Sequence, residues 1–487
     1  MLFNSFSYLV FLPIVAALFW LTPFRYRTVL LLIASYVFYM SFIPEYGILI
    51  LGLTAFNYIM GLLIARSDSL RKHILIASVA GNLILLAYFK YTFFCLHIIN
   101  QALLKSGHSA LPAHFQILLP LGISFFVFEF IHYLVDIYKG SAPVKKPLEF
   151  ALFASFFPTQ IAGPIKRYQD FIPQLHVPQK LDLKSFDEGV ELILFGLFKK
   201  VLIADNLALI VQTAFANPMS FTTADLWLAA YSFSFQVYFD FSGYTDIARG
   251  SAQLLGFTVP KNFNVPYVAS SIADYWRRWH ISLSTWLRDY LFFPLGGSKC
   301  SRWLVARNLI ITMTLCGLWH GAGYNYIVFG AIHGVLLVIH REWRRLVEKF
   351  AGVNRFVSTP VFHVLAIFLT FHTVVVSEVI FRAEKVSTGL SIIKRLFLID
   401  VAQGVEPWQL KLVSTDGPAI YICLPFVIAI LFFGQLLAAK FRKAGTPGIL
   451  PLPHWLNPLR PAYLAAIVCL LIVFAPDINP RFIYFQF

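Results

Sequence analysis

The sequence predicts an all-α protein that crosses a membrane many times, and three observations carry that reading. Charged residues make up 13% of the 487 positions and hydrophobic ones 58%, whereas a soluble domain carries about a quarter charged residues. Apolar runs of helical length recur at 5–21, 29–43, 46–65, 74–103, 117–138, 187–213 and 225–257, and again at 305–318, 324–340, 358–381, 418–438 and 461–475. The 50 Phe, 22 Tyr and 10 Trp supply the aromatic bulk that suits lipid contact and interfacial belts. Together the runs predict roughly ten to twelve transmembrane or re-entrant helices, some of them short. They form one domain over residues 1–487, because no soluble stretch is long enough to stand apart.

The first run has no basic segment before it and passes straight into Arg25 and Arg27, so it reads as a retained helix and not a cleaved signal. The early loops then alternate in charge. Arg25 and Arg27 follow the first run, and the loop from Ser41 to Gly47 has no Lys or Arg. Arg66, Arg71 and Lys72 follow the third run, Lys105 stands alone in the fourth loop, and Lys139, Lys145 and Lys146 follow the fifth. The positive-inside rule places the N-terminus outside and loops one, three and five in the cytoplasm. Beyond Arg382, Lys385, Lys394 and Arg395 blur the alternation. The net charge of +15 thus reads as cytoplasmic loops facing an anionic surface, not as a nucleic-acid site, for which no basic-aromatic soluble module exists.

Three stretches interrupt the apolar runs. Glu129, His132 and Asp136 fall at i, i+3 and i+7 on one face of an apolar helix, a pattern expected of helix–helix hydrogen bonding. Pro158 to Arg167 brings Pro, Gly and Gln160 into an apolar region, where irregular backbone needs cover from protein or a cavity. Tyr238 to Asp246 sets Asp240 and Asp246 among aromatics.

The most unusual stretch runs from Ser271 to Gly323. Ser271 followed by Asp274 has the form of a capping box. From there Ile272, Trp276, Trp279, Leu283, Leu287 and Tyr290 share one helical stripe, with Arg278 and Asp289 opposite and His280 at the stripe's edge. This predicts one amphipathic helix lying in the cytoplasmic interface, with its basic groups toward water. The helix stops near Pro294, Gly296 and Gly297. A later apolar run ends at Trp319-His320-Gly321-Ala322-Gly323, whose small residues admit a neighbouring backbone or a ligand. A histidine at membrane depth faces the protein interior and is a functional candidate by default.

These residues fit acyl transfer to a hydroxyl. Burial keeps an imidazole neutral, and a neutral imidazole takes the acceptor's proton or carries the acyl group itself. His320 is the candidate for that step, with His280 in support. Trp276, Trp279 and Trp319 would wall a dry tunnel, and Arg277 and Arg278, with Lys261 and Lys299, would hold a phosphorylated donor. Arg288 and Asp240 are further binding candidates, although Asp240 and Asp246 also read as structural. A transporter or flippase would use the same broken helices and buried carboxylates, but no inverted repeat is visible. A metal site from His320, His333 and His340 fails on spacing, since His333 and His340 lie two turns apart. Cys95, Cys300, Cys316, Cys423 and Cys469 form no metal or redox pattern.

The blocks from Trp276 to Tyr290 and from Leu318 to Ala322 resemble the membrane-bound O-acyltransferase (MBOAT) family. So do Tyr238 to Asp246, Phe157 to Arg167, Leu119 to Phe125 and Ile380 to Ala383. The resemblance reaches to about residue 385, leaves 386–487 as divergent helices, and favours the bacterial branch that O-acetylates alginate or peptidoglycan. Teichoic-acid D-alanylation proteins are more distant, and cellulose is another acceptor to consider. The resemblance implies an MBOAT-type bundle in the bacterial inner membrane, with His320 as the essential histidine and His280 as the second motif histidine. It also implies acetyl-CoA as the acyl donor with no permanently bound cofactor, a periplasmic SGNH-type partner, and a polysaccharide acceptor.

Overall fold

The computed structural model describes residues 1–112, 117–398, 420–442 and 460–475, apart from the side chains of 420–425 and 438–442. Every regular element among them is helical. The chain divides into two units, one of residues 1–193 and 244–261 and the other of 194–243 and 262–487.

The first unit holds α1 (Phe6–Leu21), α2 (Phe24–Met40), α3 (Glu45–Arg66), α4 (Arg71–Lys105), α5 (Ile123–Tyr138), α6 (Pro147–Ser155), α7 (Tyr168–Leu175) and most of α8 (Leu183–Leu197). Ser5 caps α1 by accepting from the Tyr8 N–H at 3.2 Å. The helix α5 is buried almost all round, as expected of a helix apolar on every side. It starts at Gly122, whose φ of 71° suits glycine alone, since a side chain there would also strike the Gln160 carbonyl.

The polar face of α5 bonds another helix, α7, as its spacing suggested, and it also holds the irregular segment before α7. Lys166 Nζ lies 2.9 and 2.8 Å from the two Glu129 carboxylate oxygens, with both residues buried. Gln169 Nε2 donates to Asp136 at 2.7 Å, and His132 stacks on Tyr168 with centroids 6.3 Å apart. Two stretches that look unrelated in sequence are therefore partners.

The second unit begins with a π-helical segment, Phe198–Ala204, where the run 187–213 was expected to be one helix. It continues with α9 (Asp205–Ala216), α10 (Thr223–Leu254, shared with the first unit), α11 (Ile272–Arg278), α12 (Ile281–Leu287), α13 (Arg302–His320), α14 (Tyr324–Lys349), α15 (Ala351–Val357), α16 (Pro360–Arg382), α17 (Val386–Leu396), α18 (Ile420–Arg442) and α19 (Arg460–Phe474). Helices α13 and α14 meet backbone to backbone. A methyl group at Gly317 would collide with the Tyr326 carbonyl, one at Gly330 with the Met313 carbonyl, and one at Gly334 with Ile310. Small residues of this kind let membrane helices approach closely.

The stretch from Ser271 to Tyr290 departs most from expectation. Ser271 caps α11 as its pattern predicted, accepting from the Asp274 N–H at 3.2 Å. The single interfacial helix, however, is broken at Trp279 and His280 and ends in a π-helical turn, Arg288–Phe292. Of the apolar stripe, Ile272, Trp276, Trp279, Leu283 and Leu287 are buried in protein and Tyr290 is half-buried, so most of the stripe meets side chains and not lipid.

Among the described residues, three helices are long and apolar enough to cross a membrane, namely α3, α4 and α16. The protein is a multi-pass membrane protein. Other apolar helices, such as α1 and α19, are shorter.

Candidate active site

The break between α11 and α12 is made by backbone as much as by side chains. His280 takes the left-handed conformation, with φ 42° and ψ 57°, which costs an L-residue about 1–2 kcal/mol and gathers at functional sites. Breaking a helix orphans its peptide groups, and the segment 262–264 recovers two of them. The Asn264 N–H donates to the Arg278 carbonyl at 2.9 Å, and the Ile281 N–H donates to the Asn262 carbonyl at 2.8 Å. The Ser284 hydroxyl also donates to the Trp279 carbonyl at 3.1 Å.

The His280 side chain is fully buried among rings. Phe241 meets it edge-on at 4.7 Å between centroids, Phe263 lies at 6.5 Å and Trp319 at 6.2 Å. Burial, reinforced by the neighbouring His320, holds its pKa well below the ordinary imidazole range, so the ring is neutral at physiological pH. His320 is the last residue of α13 and is also buried. Its ring lies 4.9 Å from Trp319 and 5.5 Å from Phe381, and its Nε2 is 4.0 Å from Cys316 Sγ. Trp319 therefore touches both imidazoles.

The other candidates separate. Trp279 belongs to the same aromatic layer, 5.1 Å from Phe263 and 6.2 Å from Tyr238. Trp276 turns to α14 instead, its indole N–H donating to His333 Nδ1 at 3.2 Å. The other His333 nitrogen lies 3.0 Å from Ser377 Oγ, so hydrogen bonds occupy both nitrogens of that ring. Arg278 is tied to Asp274 at 2.8 Å and Arg288 to Asp289 at 2.8 Å. Arg277 is largely exposed, 3.8 Å from Asp274, and is the arginine of the set best placed to meet a solvent-borne anion.

Asp240, expected to contact substrate, is buried in an ion cluster. Lys200 Nζ lies 2.9 Å from Asp240 and 2.6 Å from Asp205. Lys200 sits in the π-helical segment, and Gly243 lets α10 approach the backbone there, since a methyl group would meet Gly196 O and Lys200 N. Gly321 likewise faces the Tyr326 ring rather than open space. Three contributors went unmarked in the sequence: Asn262, Lys200 and Glu378, a buried carboxylate on α16 that accepts from Ser234. A charged residue within an apolar run was the available signal for Lys200 and Glu378. Asn262 lies in a short loop and carried none.

A helical membrane scaffold thus buries two imidazoles, His280 and His320, against the indole of Trp319. Residues 82–377 match the model of the membrane-bound O-acyltransferase family, and the chain belongs to that family. It is 41% identical over 455 residues to the probable alginate O-acetylase AlgI of Pseudomonas aeruginosa, covering 91% of this chain and 84% of the relative. It is 37% identical over 507 residues to the probable alginate O-acetylase AlgI of Pseudomonas putida, covering 100% of both. It is also 37% identical to the peptidoglycan O-acetyltransferase of Helicobacter pylori, over 75% of this chain and 72% of the relative.

Proposed function

We propose that the chain transfers acetyl groups from cytosolic acetyl-CoA for O-acetylation of an extracytoplasmic, alginate-like polysaccharide. The observation that carries the reading is Trp319 in contact with both His280 and His320, each buried where water is scarce. His320 takes the proton from the attacking hydroxyl as its oxygen bonds to the thioester carbonyl. The C–S bond then breaks, and the thiolate of CoA leaves with that proton. Alternatively His320 attacks the thioester carbonyl first, the C–S bond breaks and the CoA thiolate leaves, and the acetyl group then passes to the hydroxyl as its proton returns to the imidazole. His280 supports the step by orienting the donor or stabilising charge. Trp279 and Trp319 line the reaction space, Trp276 backs it through α11, and Arg277 meets the donor's phosphates.

The chain acts as one catalytic domain in the bacterial inner membrane. The shorter apolar helices complete roughly ten to twelve crossings or re-entrant segments. A periplasmic SGNH-type partner finishes transfer to the polymer, and residues 386–487 tune partner or acceptor choice. The test uses the purified protein in proteoliposomes with radiolabelled acetyl-CoA. His320→Ala should abolish transfer, a loss of at least about 10²-fold for removal of a general base, while the variant still inserts and folds. Substantial transfer by a folded His320→Ala protein would remove His320 from the chemistry. Label retained on the quenched wild-type protein selects the acyl-histidine route, and its absence selects general-base catalysis.

A further inference from the structure

Asn262 is fully buried in the loop between α10 and α11 and has no part in the chemistry described above. Its side-chain oxygen accepts from the Ser282 N–H at 3.2 Å and from the Ser282 hydroxyl at 2.6 Å, and it lies 3.4 Å from His280 Nδ1. A main-chain N–H can only donate, so the atom facing Ser282 is the amide oxygen. Turning the amide over would set two donors against each other. The Nδ2 group meets no acceptor among the described residues, and burying such a donor costs stability. That cost is borne because two Ser282 donors and one imidazole converge on the oxygen.

His280 Nδ1 therefore faces an acceptor, and a ring nitrogen facing an acceptor carries the hydrogen. We infer that Asn262 is a positioning residue for acyl transfer, holding His280 as the Nδ1–H tautomer so that Nε2 presents its lone pair to the reacting groups. This rests on His280 belonging to the catalytic site. His280 then works as a hydrogen-bond acceptor and not as an oxyanion donor, dividing the labour with His320. Asn262 reaches the same ring through the backbone, since its carbonyl holds the Ile281 N–H at 2.8 Å.

Charged and titratable groups near His280 come from α13, α10 and the loop before α11. From α13 it is His320. On α10, Asp240 adjoins Phe241 but is engaged by Lys200 at 2.9 Å. In the loop, Lys261 is exposed. A new charge at position 262 would dominate this field.

Two substitutions test the inference through the pH dependence of transfer. Asn262→Asp keeps an acceptor for Ser282 and for His280 Nδ1–H and adds a negative charge. A carboxylate beside an imidazole favours the charged ring by about 1–3 units. The acid limb of kcat should therefore move to higher pH, because Nε2 is protonated sooner as pH falls. Asn262→Leu removes the acceptor and frees the tautomer, so kcat should fall at least tenfold with KM for acetyl-CoA unchanged. Ser282→Ala, which loses only the competing donor, should leave the acid limb in place. If Asn262→Leu does not fold, the Asn262→Asp profile decides alone. An unmoved acid limb in Asn262→Asp overturns the inference, as does a folded Asn262→Leu enzyme with wild-type kcat. Either result leaves the functional reading intact so long as wild-type transfer depends on His280. Wild-type transfer that is absent or indifferent to His280→Ala overturns the functional reading itself.

Discussion

At the scale of single residues, His280 carries two demands at once. Its backbone is left-handed and its ring fills a fully buried aromatic slot. Asparagine tolerates the left-handed region, whereas a β-branched residue there is a genuine outlier. His280→Asn should therefore fold with a melting temperature near wild type while transfer drops by about tenfold or more, the loss of a supporting imidazole. His280→Val should lose stability as well, by about 1–2 kcal/mol more than His280→Asn from backbone strain alone. Thermal melts in detergent separate the two effects, and equal melting temperatures would show that the backbone tolerates either residue. The histidines themselves were legible in the sequence, each beside a tryptophan. Their surroundings were not, because Phe241, Phe263 and Asn262 come from segments with no periodic link to them.

At the scale of elements, one contact carries His320 in the second unit and another holds the first unit together. The α13–α14 interface brings His320 to the end of a tightly packed hairpin, and Gly330 permits it. Gly330→Ala puts a methyl group against the Met313 carbonyl, where neither backbone has room to move. Overpacking of this kind costs about 1–3 kcal/mol, and transfer should fall with stability because α13 carries the histidine. The second contact is the Glu129–Lys166 pair of the first unit, 2.8 Å long and buried at both ends. Glu129→Gln strands the Lys166 ammonium, and breaking a buried pair costs about 3–5 kcal/mol. The double variant Glu129→Leu with Lys166→Met should recover much of that loss, since an apolar replacement removes both charges together. Chemical or thermal unfolding of the three proteins checks the ordering; a double variant less stable than Glu129→Gln would contradict it. Periodicity placed Glu129, His132 and Asp136 on one helix face but could not say what they grip. It also read Ser271 to Tyr290 as one helix, because the apolar stripe keeps its phase across a break that only segment 262–264 makes affordable.

At the scale of the whole molecule, membrane residence and enzymatic function belong together. The donor is a charged nucleotide thioester that does not cross a bilayer, and the acceptor lies on the far side. Proteoliposomes holding a uniformly oriented enzyme should accept acetyl-CoA from the cytoplasmic face alone. Transfer from both faces at equal rates would mean that the reaction space opens alike to either compartment. A transporter would move an intact polymer unit and leave acetyl-CoA unspent, so thioester consumption distinguishes the two activities in the same vesicles.

Composition and apolar run length alone determined that this chain is helical and membrane-embedded, because burial in lipid demands long stretches that satisfy their own peptide groups. The motif histidines and the family could be read at the same level. Only tertiary structure decided which partners those residues have. The helix break at His280, the orientation of its ring by Asn262, the turning of Trp276 toward His333 and the capture of Asp240 by Lys200 all depend on groups 14 to 57 positions away or on an inserted π-helical segment. Local periodicity describes one helix face at a time, and a site made where several faces meet is set by packing that no single face encodes.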